Sequence, residues 1–218
     1  MARRFEAIVE ARLNEGVAGL PQVKYEILNF GVPGYQPPQE LVAAEKAIGF
    51  APQAMLYVAT GRELSRAAGY MIEVVNKKLD IPYPELRDLM AKAGIVPGTE
   101  EATGLKRLEP YRSELLGFVY RHIADETRRA GAVPVWIFLP QVAQNARQPE
   151  TPEQMRLARE AGFVVIDLSN VYEGQDVASV RLAEWDDHPN VRGHQLIATR
   201  LLDALEANRT AIFRAPRQ

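Results

Sequence analysis

Hydrophobic positions along this chain switch between two periods. Residues 2–14 space Phe5, Ile8, Val9 and Leu13 three to four apart among Arg and Glu, which predicts an amphipathic helix closed by Gly16. The stretch VKYEILNF at 23–30 is rich in β-formers and runs into Gly-Val-Pro-Gly, so it predicts a strand leading into a tight loop. Helical spacing returns at 38–49 through Leu41, Ala44 and Ile48. Short continuous apolar runs stand at 54–59 (AMLYVA), 135–139 (VWIFL) and 163–168 (FVVIDL), and such runs suit strands buried on both faces. Helical stretches separate them at 109–130 and 152–161, and a last amphipathic helix is expected at 191–207. Residues 62–108 read as two or three short helices broken by Pro82, Pro84, Pro97 and Gly98. A loop is expected from 169 to about 187, and a loosely held tail after Asn208.

Uniformly apolar strands alternating with helices predict a parallel sheet covered on both faces, a three-layer α/β/α sandwich. A length of 218 residues suits one domain spanning 1–218, with a helical insertion at about 66–105 and a flexible tail at about 209–218. Composition adds exclusions. A net charge of −2 argues against a nucleic-acid partner. The absence of cysteine removes a disulfide framework and a thiolate zinc site, but does not fix the compartment. No apolar run reaches the ~18 residues of a membrane span, and the first residues carry charge without the apolar core of a signal peptide. As written the chain reads as cytoplasmic, and a leader encoded upstream would change that. Oligomeric state is not legible.

Three local patterns carry candidate chemistry. The first is Trp185-Asp186-Asp187-His188-Pro189-Asn190, followed by Gly193-His194. In an extended segment residues i and i+2 share a side, so Asp186 can accept from the His188 imidazole, fix its tautomer and stabilise its cation. Pro189 would then start the last helix. The competing reading is that Asp187 or His188 simply caps that helix. The second pattern is Asn29-Phe30-Gly31-Val32-Pro33-Gly34-Tyr35, where Gly31 and Gly34 let backbone N–H groups approach a substrate oxyanion, or merely make a turn. The third is Thr60-Gly61-Arg62-Glu63, either a polar group facing the same cleft or a helix start with Glu63 in its first turn. His188 and His194 are six apart, the wrong spacing for a metal pair on one helix face, so neither metal nor cofactor is expected.

In this order the three patterns resemble the SGNH hydrolases, the GDSL-like esterase/lipase family, over about residues 1–207. The resemblance implies a flavodoxin-like sheet, a small-molecule or carbohydrate ester substrate, and Ser-His-Asp chemistry. On it, Gly34 matches the oxyanion glycine, and Asp186 with His188 match the histidine block. Arg62-Glu63 stands where the family has Asn-Asp, so Arg62 would replace the asparagine as a substrate-side donor. Family members commonly place the acid three residues before the histidine, where this chain has Trp185. The family's Gly-Asp-Ser turn has no counterpart here: Ser65, Ser113, Ser169 and Ser179 all lie outside such a turn. The sheet is therefore expected to lack its first strand, leaving 23–30 and 54–59 without a neighbour on one side. Little esterase activity is expected from the chain as given. The rival readings are a catalytically inactive SGNH-like binding module and a related O-acetyltransferase acting on a polysaccharide.

Overall fold

The computed structural model describes residues 4–142 and 149–213. Three strands, β1 (Ala54–Ala59), β2 (Val133–Phe138) and β3 (Val164–Asp167), form a parallel sheet in that order. Ala54 pairs with Val133 and Ala59 with Phe138. Val135 pairs with Val164 and Phe138 with Asp167. Every residue of the central strand β2 is buried, which is why VPVWIF carries no polar alternation.

Alternate residues feed two cores. Tyr57, Ala59, Trp136 and Phe138 face α2 (Pro37–Ile48), α3 (Glu63–Asn76), α6 (Arg112–Arg129) and α7 (Thr151–Glu160). Val133, Val135, Ile137 and Ile166 face α1 (Phe5–Glu15) and α9 (Val191–Ala207). The result is a mixed α/β fold with an open sheet whose central strand is helically covered on both faces, compatible with an α/β sandwich. Helices α3, α4 (Pro84–Lys92) and α5 (Glu101–Leu108) occupy the expected insertion. Their Met71, Leu86, Leu89 and Leu108 pack into the first core beside α6.

Residues 23–30 form no strand. They run extended along α1, and the side chains of that helix take the place of a ladder. Asn14 Oδ1 accepts from Tyr25 N at 2.8 Å, while Asn14 Nδ2 donates to the Tyr25 carbonyl at 2.9 Å. Glu10 accepts from Ile27 N at 2.6 Å, and Glu6 accepts from the Asn29 side chain. Four helical residues rise ~6 Å and two extended residues ~6.6 Å, so positions 6, 10 and 14 meet 29, 27 and 25 in step. β-propensity recognised an extended backbone here and could not supply a partner strand.

Strand β1 is correspondingly an edge among the described residues, in line with its expected loss of a neighbour. Leu56 and Val58 on it are 37% and 41% exposed. Two further elements depart from expectation. The loop expected at 169–187 contains α8 (Val177–Val180) and an antiparallel hairpin of β4 (Arg181–Ala183) and β5 (Asp186–Pro189). The tail begins with a helical turn, α10 (Arg209–Ile212), anchored by buried Ile212; the rest of the expected flexible tail, 214–218, lies outside the described residues.

Candidate functional site

His188 and Asp186 sit two apart on β5, so both project to one side of the hairpin. Asp186 Oδ1 lies 2.6 Å from His188 Nδ1 and also accepts the His188 backbone N–H at 3.0 Å. These two bonds, the backbone one foremost, hold the Asp186 carboxyl below its ordinary value. The pair leaves Nε2 as the outward nitrogen of an imidazole whose side chain is 78% exposed, against 18% for Asp186. Neither Asp187 nor His188 caps the last helix. Pro189 ends β5 instead of starting α9, and Asn190 is the cap, its Oδ1 accepting from Gly193 N at 3.1 Å. Asn190 Nδ2 also donates to the carbonyls of Ser179 and Arg181, each at 3.1 Å, which ties the hairpin to the helix start. The Val142 N–H, on the segment leaving β2, donates to Asp187 O at 3.2 Å. That bond places the hairpin at the carboxyl end of the sheet, where open α/β sheets bind ligands.

His194, also in the histidine-rich pattern, has a structural role. Its Nδ1 accepts from Phe5 N at 3.3 Å and its ring stacks on Phe5, so it joins α1 to α9. Burial depresses its basicity.

The glycine bend reaches the same end of the sheet through Arg66, a residue the sequence patterns did not mark. Arg66 Nη2 donates to Tyr35 O at 2.8 Å, Nε to Gln36 Oε1 at 2.7 Å, and Nη1 to Thr60 Oγ1 at 3.1 Å. Gln36 in turn donates to Gly34 O at 3.0 Å. Gly34 has φ +85°, a conformation glycine adopts without strain, and an added Cβ would meet nothing within 4 Å. Its N–H makes no hydrogen bond among the described residues. The Gly31 N–H is already taken by Asn29 Oδ1 at 2.7 Å, so of the two candidate glycines Gly34 has the available donor.

The turn after β1 is held from inside. Buried Gln154 of α7 accepts from Arg62 N at 3.2 Å and Glu63 N at 2.8 Å and donates to Thr60 O at 3.1 Å, in the amide orientation that satisfies all three. Arg62 is thereby fixed at φ +76°, unusual for a residue with a Cβ. Its backbone N–H is consumed, and only its exposed side chain is left to face a ligand. Glu63 does stand in the first turn of α3, as the helix-start reading has it, but it does not face solvent. Its carboxyl is buried, accepting from Tyr57 OH at 3.0 Å, Tyr120 OH at 2.8 Å and Thr60 N at 3.3 Å. Desolvation pushes it up to about 7 despite those bonds.

The structure thus brings Asp186 and His188 into contact, and sets Gly34 and Arg62 at the same end of the sheet. No hydrogen bond or ion pair joins His188 to the bend among the described residues. Three serine hydroxyls are engaged elsewhere: that of Ser65 donates to Arg62 O, that of Ser113 to Glu153 and that of Ser179 to Asp176 O; Ser169 follows β3, its backbone N–H donating to Asp167. No cluster of three or more His, Asp or Glu suited to a metal occurs among the described residues. A shallow cleft of about 320 Å³ lined by Leu20, Pro21, Arg209 and Phe213 lies beyond the far end of α9 from His188. No described helix is long and apolar enough to cross a membrane. No protein-family model, curated protein or solved structure matches the chain.

Proposed function

We propose that this chain carries the acid–base half of an SGNH-type ester hydrolase on a flavodoxin-like sheet, with the nucleophilic serine coming from outside the described residues. The observation that carries this reading is the 2.6 Å contact between Asp186 Oδ1 and His188 Nδ1, with the other imidazole nitrogen open to solvent at the carboxyl end of the sheet. A carboxylate in that position selects the Nδ1–H tautomer and stabilises the imidazolium, so Nε2 becomes a general base. The serine hydroxyl attacks an ester carbonyl as His188 Nε2 takes its proton. The Gly34 N–H, with the Arg62 guanidinium as second donor, holds the oxyanion. His188 then returns the proton to the departing alkoxide. Water, deprotonated by the same nitrogen, releases the acid and regenerates the serine.

A second reading is supported by the four serines, three of whose hydroxyls are bonded away from His188. On it the same surface binds an ester-bearing carbohydrate without cleaving it. Sequencing the reading frame upstream of Met1 separates the two. If it encodes Gly-Asp-Ser in frame, the longer chain is expected to hydrolyse p-nitrophenyl acetate, to be inactivated by a serine-directed phosphonate, and to lose at least about a hundredfold in kcat in His188→Ala. Undiminished turnover in that variant removes His188 from the reaction. Robust phosphonate-sensitive turnover by the 218-residue chain alone removes the external serine. Acetyl transfer to a polysaccharide hydroxyl outpacing hydrolysis would instead mark an O-acetyltransferase.

A further inference from the structure

The interior carboxyl of Glu63 and the solvent-facing glycine bend are joined by hydrogen bonds that meet at Thr60, one on its backbone and one on its side chain. Glu63 Oε1 accepts the Thr60 N–H, the Thr60 hydroxyl accepts from Arg66 Nη1, and Arg66 Nη2 donates to the carbonyl of Tyr35. A branch runs from Arg66 Nε through the Gln36 side chain to the Gly34 carbonyl. Thr60 is the shared node, held through its backbone by the carboxylate and through its side chain by the guanidinium. We propose that Glu63 is a proton-operated latch on the bend: ionised, it holds Thr60 and Arg66 and through them Gly34 to Gln36; protonated, it lets them go.

The physical reason lies in what a proton does to this cluster. The carboxylate accepts three hydrogen bonds and attracts Arg66. On protonation Glu63 becomes a donor itself, so one of the two phenols that donate to its Oε2 must turn to accept, and the Thr60 amide is left facing a neutral, weaker acceptor. The attraction on Arg66 also ends. The groups facing the cluster from other elements are Tyr57 on β1, Tyr120 on α6, Glu40 on α2 and Glu150 ahead of α7; Gln154 on α7 is neutral. Glu40 is half-buried, raised by that burial and drawn down by Arg66, so it is the alternative anion for the guanidinium. Glu150 acts on Tyr120 and accepts the Ser65 N–H at 3.3 Å. Since Glu63 titrates near 7, the latch works in the neutral range. It stands whether or not the site cleaves esters.

The test is an amide-resolved NMR titration of the whole chain across neutral pH. The Thr60, Gly34 and Tyr35 amides are expected to shift together with one midpoint near 7. The common step is expected to disappear in Glu63→Gln and to survive in Glu40→Gln and His188→Gln. If Glu63→Gln does not fold, Tyr57→Phe decides. Loss of a bond to the carboxylate must move the common midpoint upward. A midpoint unmoved in Tyr57→Phe, a step that persists in Glu63→Gln or vanishes in Glu40→Gln or His188→Gln, or a Thr60 shift with a silent bend overturns the latch.

Discussion

Glu63 has an ordinary carboxyl value of 4.5 when exposed and about 7 in the fold, with burial as the largest cause. Between those values the native state keeps a proton that the unfolded chain releases. The contribution to stability is therefore fully present below about 4.5 and is lost as pH rises to about 7. At 1.36 kcal/mol per unit the loss is roughly 3 kcal/mol. Urea unfolding at pH 5 and pH 8 is expected to show it, and Glu63→Gln is expected to flatten the difference. Glu153 works in the opposite sense. Hydrogen bonds from Arg156 and Ser113 lower it to about 2, so its contribution is present above 4.5 and fades as the medium becomes more acid. The Asp186–His188 pairing was legible because an i,i+2 relation needs only an extended backbone. The burial of Glu63 was not. Its two phenol partners come from β1 and from α6, and Tyr120 lies 57 positions away.

At the scale of elements, the hairpin that carries Asp186 and His188 is held by the first turn of α9. Gly193 fits there because an added Cβ would come within 2.7 Å of Val180 O and of Pro189 Cβ, and a backbone carbonyl cannot swing aside. Gly193→Ala is expected to cost about 1–3 kcal/mol, read as a lowered Tm. Asn190 both caps the helix and donates twice to the hairpin. Asn190→Ala is expected to cost about 2 kcal/mol in chemical denaturation. Asn190→Asp keeps the cap, loses the donors and should fall between. An Asp variant as damaging as Ala would show that the hairpin ties outweigh the cap. The long helices and the places of the three sheet strands were readable from hydrophobic period, but burial on both faces holds only for β2, with Leu56 and Val58 of β1 exposed, and residues 23–30 were not readable. Their extended shape is local, but their partner is a row of polar side chains at 6, 10 and 14 on another element.

Across the whole molecule, the sheet is covered over β2 but open at β1, both along its outer edge and on the face that carries Leu56 and Val58. Leu56 and Val58 are exposed on a strand whose outer edge has no neighbour among the described residues, the arrangement that favours strand-to-strand association. Exposed Val23, Leu28 and Phe50 belong to the segments that lead toward this strand. Light scattering over a concentration series is expected to show self-association that Val58→Lys reduces, since a lysine on an edge opposes pairing. A chain that stays monomeric at all concentrations would show the edge to be harmless.

By itself the sequence determined where the long helices and the three strands of the sheet lie, that the central strand would be buried, and that a carboxylate would stand beside the imidazole of residue 188. These depend on side-chain period and near-neighbour spacing, both written within a few residues. Tertiary structure alone decided that one face of β1 would stay open, that 23–30 would pair with helix side chains, that Asn190 would cap α9, and that Glu63 would lie inside with Arg66 joining it to the bend. Each of those depends on which distant groups arrive to satisfy a donor, an acceptor or a charge, and that is settled only when the layers pack.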